Sequence, residues 1–184
     1  MAITLLNQTA HVAAFEVYKG GLVLATLPDL QPGAELVLQP QSAPYEISAQ
    51  TVLDGDYLTS VPVAFEDSEN VCLTAQVAQQ LTEQPYLFLL LPSAPSELRQ
   101  LQLAKTCKPD VLFRLSREGQ VLQTVLVTAA TSPVNLALND VYGFIVVVDG
   151  ITVAAQTTSN QDATVTVMAR KSGHDGEFFE LQIS

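Results

Sequence analysis

Few side chains in this sequence could carry chemistry. His11 and His174 are the only histidines in 184 residues, and Cys72 and Cys107 are the only cysteines. Nucleophilic catalysis needs a nucleophile, a base and an orienting group brought together. No GxSxG elbow accompanies either histidine, and Cys107 is distant from both in sequence. His174 falls in the turn Gly173-His174-Asp175-Gly176, where an exposed loop histidine is the simplest reading. Neither cysteine has CxxC or Cys/His metal spacing, and two cysteines so placed suit free thiols in a reducing cytoplasm. The expectation is a protein with no catalytic residue, metal or cofactor, and hence not an enzyme.

Binding chemistry has more candidates. Calcium prefers several carboxylate and carbonyl oxygens, and Asp54-Gly55-Asp56, the loop from Glu66 to Asn70 and Asp175-Gly176-Glu177 each supply some. None has EF-hand spacing, and acidic hairpin turns account for all three. Gly20-Gly21 lacks the GxGxxG or GxxxxGK spacing that aims backbone amides at a phosphate. Sugar recognition usually stacks an aromatic beside polar groups, and this chain has no Trp. Its tyrosines mostly sit within strand patterns, with Tyr45 and Tyr142 read as core. Tyr57, beside the Asp54 and Asp56 turn, is the exception and the leading binding candidate.

The elements that must hold these residues repeat. Residues 101 to 125 echo residues 3 to 27 at an offset of about 98: Leu5 falls on Leu103, Phe15 on Phe113, Gly21 on Gly119, Val23 on Val121 and Thr26 on Thr124. Past this stretch the alignment slips, so that Leu36 and Leu38 meet Leu136 and Leu138, and Tyr45 and Ile47 meet Tyr142 and Phe144. Turn insertions are what a duplicated fold tolerates. The halves differ in charge at the echoed hairpin. Glu16 aligns with Arg114, and Lys105, Lys108 and Arg117 face only Lys19 in the counterpart. Arg114 and Arg117 therefore join the binding candidates.

Strand patterns run throughout, and no window of a dozen residues sustains a capped helical period. Val71, Leu73, Ala75 and Val77 alternate strictly, and Asp149-Gly150 is a strong hairpin signal. Pro62 cannot donate to a ladder, so its strand belongs at an edge or carries a bulge. The run YLFLLL, from Tyr86, is apolar on both faces and predicts a central strand, or one hidden by a partner. The expected fold is all-β, a tandem duplication of an antiparallel β-sandwich with about eight short strands per repeat. The expected boundaries are 1–92 for repeat one, 93–98 for a Pro- and Ser-containing linker and 99–184 for repeat two.

Composition narrows the partners. Hydrophobic residues make up 48% and charged residues 15%, which argues against disorder. A formal net charge of -11 argues against nucleic acid, which is bound by clustered Lys and Arg. The charge is uneven: residues 1–92 hold Lys19 against ten acids, whereas residues 93–184 hold seven basic and nine acidic side chains. The N-terminal stretch lacks the basic n-region of a secretory signal, so a cytoplasmic location is expected. The expected function is a non-enzymatic protein-interaction or assembly module, with a protein partner or self-association. The alternative is a lectin-like or membrane-active protein that binds cell surfaces.

Overall fold

The structure, a computed structural model, describes residues 2–39, 43–66, 69–79, 86–93, 99–172 and 176–184. His174 and Asp175, Asp67 and Ser68, and residues 94–98 of the expected linker lie outside them. The described residues form seventeen strands and no helix. They are β1 (Ile3–Gln8), β2 (Ala13–Lys19), β3 (Leu22–Leu30), β4 (Glu35–Leu38), β5 (Tyr45–Leu53) and β6 (Asp56–Thr59). Next come β7 (Val63–Phe65), β8 (Val71–Gln79), β9 (Tyr86–Ser93), β10 (Gln100–Lys105), β11 (Val111–Arg117) and β12 (Gln120–Val127). The chain closes with β13 (Val134–Ala137), β14 (Tyr142–Val148), β15 (Ile151–Thr158), β16 (Thr164–Ser172) and β17 (Gly176–Ile183).

Turn chemistry explains the hairpins. Asp54-Gly55, Glu118-Gly119 and Asp149-Gly150 each join two strands through two residues, all with positive φ, from 50° at Glu118 to 91° at Gly55. That is the backbone twist a tight antiparallel hairpin requires. Strand alternation then sorts the side chains. Along β11, Val111, Phe113 and Leu115 are buried while Leu112, Arg114 and Ser116 are only half-buried.

Four sheets result, with strand orders β17-β16-β1-β4, β15-β14-β2-β3, β13-β10-β8-β9 and β12-β11-β5-β6, and β7 also pairing with β5. The first two sheets form one compact unit, Met1–Ser42 with Asn139–Ser184, and the last two form another, Ala43–Leu138. The compact units are therefore not the halves 1–92 and 99–184. Ladders decide this: β1 runs parallel to β16 and β2 antiparallel to β14, tying the first quarter of the chain to the last. Likewise β10 runs parallel to β8, and β11 antiparallel to β5. Each compact unit takes the front of one half and the back of the other.

In unit 1 one apolar cluster draws on both sheets. Ile3, Leu5, Val165 and Val167 come from β1 and β16, and Phe15, Val17, Phe144 and Val146 from β2 and β14. Burying apolar area at about 25 cal/mol per Å² makes this the main stabilising contribution to the unit. The corresponding positions of unit 2, including Leu73, Leu101, Leu103, Ile47, Phe113 and Leu115, are equally buried.

Ladder partners carry the internal echo further than the bare alignment does. Leu5 pairs with Leu36, and Leu103 with Val134. Leu36 thus corresponds to Val134 and not to Leu136, and the offset found in the first hairpin holds through β4 and β13. The slip falls in the following crossover, since Val17 pairs with Phe144 and Leu115 with Ile47.

One sequence expectation narrows and another is met. β9, the YLFLLL strand, stands at a sheet edge and not at its centre, with Leu87 40% and Leu91 42% exposed. Its alternate side chains Phe88 and Leu90 are buried, so one face supplies core and the other is left open. Pro62 falls where the edge strand along β5 is interrupted between β6 and β7.

Candidate functional site: the open side of unit 2

The interruption at Pro62 borders a groove in unit 2. β5 pairs with β6 from Gln50 to Leu53 and with β7 from Tyr45 to Ile47, leaving Ser48 and Ala49 between. The Ser60 hydroxyl accepts the Ala49 amide at 2.9 Å, while the Ser60 amide donates to the Ala49 carbonyl, also at 2.9 Å. These bonds hold the chain on β5 while Val61 and Pro62 leave the ladder. Val61 is consequently 82% exposed.

β9, the edge of the facing sheet, borders the same space. Between β6 and β9 lies a groove of about 720 Å³, lined by Tyr57, Leu58, Val61, Pro62 and Val63 on one side and Tyr86 to Leu90 on the other. Among the described residues, Asp56 is the only charged one in the lining. Tyr57 is 88% exposed at the rim. The Tyr86 hydroxyl donates to Asp54 Oδ2 at 2.5 Å, linking the start of β9 to the β5–β6 turn. This bond, and then the negative charges of Asp54 and Asp56, raise the Tyr86 phenol above its ordinary pKa.

Three of the five sequence candidates, Tyr57, Asp54 and Asp56, therefore gather at one end of the groove. Arg114 and Arg117 do not join them or each other. Three residues apart on β11, they point to opposite faces of the sheet. Arg114 is half-buried between Ser48 of β5 and Thr124 of β12, whereas Arg117 is buried. The Arg117 guanidinium lies 3.7 Å from the Tyr45 ring centroid, and Tyr45 stacks on Phe65 with centroids 5.4 Å apart. Arg117 is a buried cation on an aromatic face.

Tyr86, Leu87, Val61 and Pro62 are the groove residues that the sequence reading missed as a site. The signal was present in separate pieces: a proline in an edge strand, and an apolar strand with no visible protection.

The described nucleophilic candidates fall in different units. His11 belongs to unit 1, where its Nδ1 lies 3.9 Å from Asp149 Oδ2 and its ring meets Phe179 edge-on at 5.8 Å. Cys107 belongs to unit 2, with its thiol directed to the Pro109 carbonyl. Burial pushes that thiol's pKa up, against opposing effects from a backbone hydrogen bond and Lys105, so thiolate is scarce near neutrality. Both cysteines are free. Among the described residues no group of three or more His, Cys, Asp or Glu could hold a metal ion. In the acidic loop, Glu69 turns its carboxylate back onto the Glu66 amide at 3.1 Å. No helix among the described residues is long and apolar enough to cross a membrane.

No family model, curated protein or solved structure matches this chain. Function must therefore be argued from the groove itself.

Proposed function

We propose that the chain is a non-enzymatic protein-interaction or assembly module, built from two copies of a β-sandwich repeat that exchange their C-terminal halves. The sandwich reading is supported by the unit 1 cluster, which takes side chains from two sheets. The repeat reading is supported by matched loops. Asn7 Nδ2 donates to the His11 carbonyl and Thr9 Oγ1 to the same oxygen, while Lys105 Nζ and the Cys107 thiol reach the Pro109 carbonyl. These three pairs of positions keep the offset of the first hairpin.

The observation that carries the functional reading is the groove of unit 2, where two sheet edges leave Tyr57, Val61 and Leu87 uncovered. Exposed apolar edges invite pairing with another chain unless something covers them. A photo-crosslinking residue placed at Leu87 in cells tests this. The expected outcome is a discrete protein adduct from Leu87 and none from Ile151, an equally exposed apolar residue of unit 1. Adducts absent at Leu87, or equal at both positions, would refute the reading.

A glycan site is the second reading, favoured by the exposed ring of Tyr57 beside two carboxylates. Binding on a glycan array that is lost in Tyr57→Ala would support it over the first.

A further inference from the structure

We propose that the groove of unit 2 takes an extended segment of a partner protein as an added strand on the free edge of β9, with a Lys or Arg of that segment beside Asp54 and Asp56. The inference rests on the interaction reading above and specifies its partner.

The backbone argument concerns β9. Natural edge strands are guarded by lysines, bulges, early prolines or cover. β9 has no charged residue from Tyr86 to Ser93, its register with β8 runs without a bulge, and its one proline is the penultimate residue. Among the described residues it pairs only with β8. Eight residues offer a ladder of about 27 Å at 3.4 Å per residue. β6 is a poorer template, with four residues and Pro62 soon after.

The same position in unit 1 is guarded. β17 takes the place of β9, and its Leu181 carbonyl accepts Gln156 Nε2 of β15 at 2.6 Å. Glu180 of β17 pairs with Arg170 Nε at 2.6 Å, putting charge on that strand. Unit 2 has an open groove where unit 1 spans its own with a side chain.

Charge selects the occupant. The lining is apolar or aromatic except for Asp56 and Thr59, so a bound segment needs apolar side chains at alternate positions. Asp54 and Asp56 make the Tyr86 end negative, and their complement is a cation. A second copy pairing through its own β9 would not supply one, since that strand is uncharged and residues 1–92 contain Lys19 alone. A partner strand carrying Lys or Arg at one end satisfies both requirements.

Selection of a random linear dodecapeptide display library on the purified full-length chain tests this. Enriched peptides are expected to alternate apolar residues and to carry Lys or Arg next to the run. Affinity of a selected peptide, read by fluorescence anisotropy, should fall about tenfold or more in Leu87→Lys and Leu91→Lys, which introduce edge charge at exposed positions. Asp54→Asn with Asp56→Asn should weaken it severalfold and flatten its salt dependence. Methylating alternate backbone amides of the peptide should abolish binding in one phase of alternation and spare it in the other.

Enriched peptides that are neutral or acidic, or binding unaffected by N-methylation in either phase, would overturn the proposal. So would a dimer in light scattering whose β9 amides are protected from exchange, because the occupant would then be a second copy. No enrichment, with Leu87 still crosslinking a protein, would defeat strand addition and leave the interaction reading standing. No enrichment and no crosslink would defeat both.

Discussion

β15 of unit 1 and the broken strand β6–β7 of unit 2 do the same job, each covering the outer side of a central strand, β14 or β5. β15 runs eight residues, and its Gln156 reaches across to the Leu181 carbonyl of β17. The strand in unit 2 stops at Thr59, resumes at Val63 and leaves Val61 and Pro62 beside β9. Similar ladders with different edges produce one closed flank and one groove. A fold can thus hold its core positions fixed and vary function through the strands that contribute least to the core.

A second pair of positions makes the same point inside the fold. Asn7, the penultimate residue of β1, is fully buried, with its amide donating to the His11 and Leu30 carbonyls at 2.8 Å each and its oxygen accepting from Thr9. Lys105 ends β10 with its side chain 1% exposed, and its ammonium donates to the Pro109 carbonyl at 2.8 Å and the Lys108 carbonyl at 3.3 Å. Asp110 Oδ1 lies 3.6 Å away and supplies the opposite charge. An amide and an ammonium solve one problem, which is to satisfy carbonyl oxygens that the connecting loop turns inward.

The largest expected effects test how the units are composed. Phe15→Ala and Phe113→Ala each remove a fully buried ring from matched strands, and each should cost about 3–5 kcal/mol in denaturant titrations. The location of the damage discriminates. Hydrogen exchange in Phe15→Ala should lose protection at 142–148 as well as 13–19, and retain it at 45–53. Loss spread over 45–53 instead would show that the first half of the chain, and not unit 1, is the cooperative body.

Next in size are the buried polar pair. Lys105→Met keeps the length of the stem but strips the Pro109 carbonyl of its nearest donor, and should cost about 1–3 kcal/mol. Asn7→Leu should cost a similar amount, about 1–3 kcal/mol, since two carbonyls lose donors together. Both are read from melting in the same buffer. A neutral Lys105→Met would mean that desolvating the ammonium offsets its hydrogen bonds, as buried ion pairs often do.

How much of this was legible beforehand follows from what each residue's neighbours had to be. Alternation marked Phe15, Val17, Phe113 and Leu115 as inward, because strand periodicity is local. The echo matched Tyr45 with Tyr142, and both are buried at the same ladder step beside Ile47 and Phe144. Local patterns do not say which strand will be the neighbour, so the pairing of β1 with β16, β2 with β14, β10 with β8 and β11 with β5 had no signature in the sequence. β9 was misplaced for the same reason: a fully apolar run predicts burial on both faces, but its outer edge faces a groove and not another strand. The burial of Arg117 against Tyr45 was not legible, because the face of a strand-end residue depends on register. The Asp54-Gly55-Asp56 turn was legible since hairpin chemistry is written in adjacent residues.

The flanks can be brought closer to each other by a smaller change. Gln156→Ala removes the side chain that spans β15 and β17, and should cost about 1 kcal/mol. Amides around Leu181 should then exchange faster while those of β1 do not. If unit 1 so altered begins to select the same peptides as unit 2, the bridge is what distinguishes the flanks. Unchanged selectivity would assign the difference to the break at Pro62.

The smallest expected effect is confined to unit 1 and to alkaline pH. Tyr18 is half-buried on β2, two residues from Glu16 on the same face, and its phenol is pushed up to about 12 by burial, then by a hydrogen bond to Glu16 and that group's charge. The protonated phenol is therefore favoured in the folded chain over the unfolded one, whose phenol titrates near 10. Its contribution to stability is complete below pH 10 and declines as pH rises through 12. Tyr18→Phe should remove the latest phase of the tyrosinate absorbance titration, lower stability at pH 7, where that contribution is complete, and make stability fall less steeply over that interval. Unit 2 provides the internal control, because the matching position on β11 is Ser116, which has no phenol to titrate. A late phase that survives in Tyr18→Phe would assign the raised phenol elsewhere, with half-buried Tyr86 beside Asp54 the first to examine.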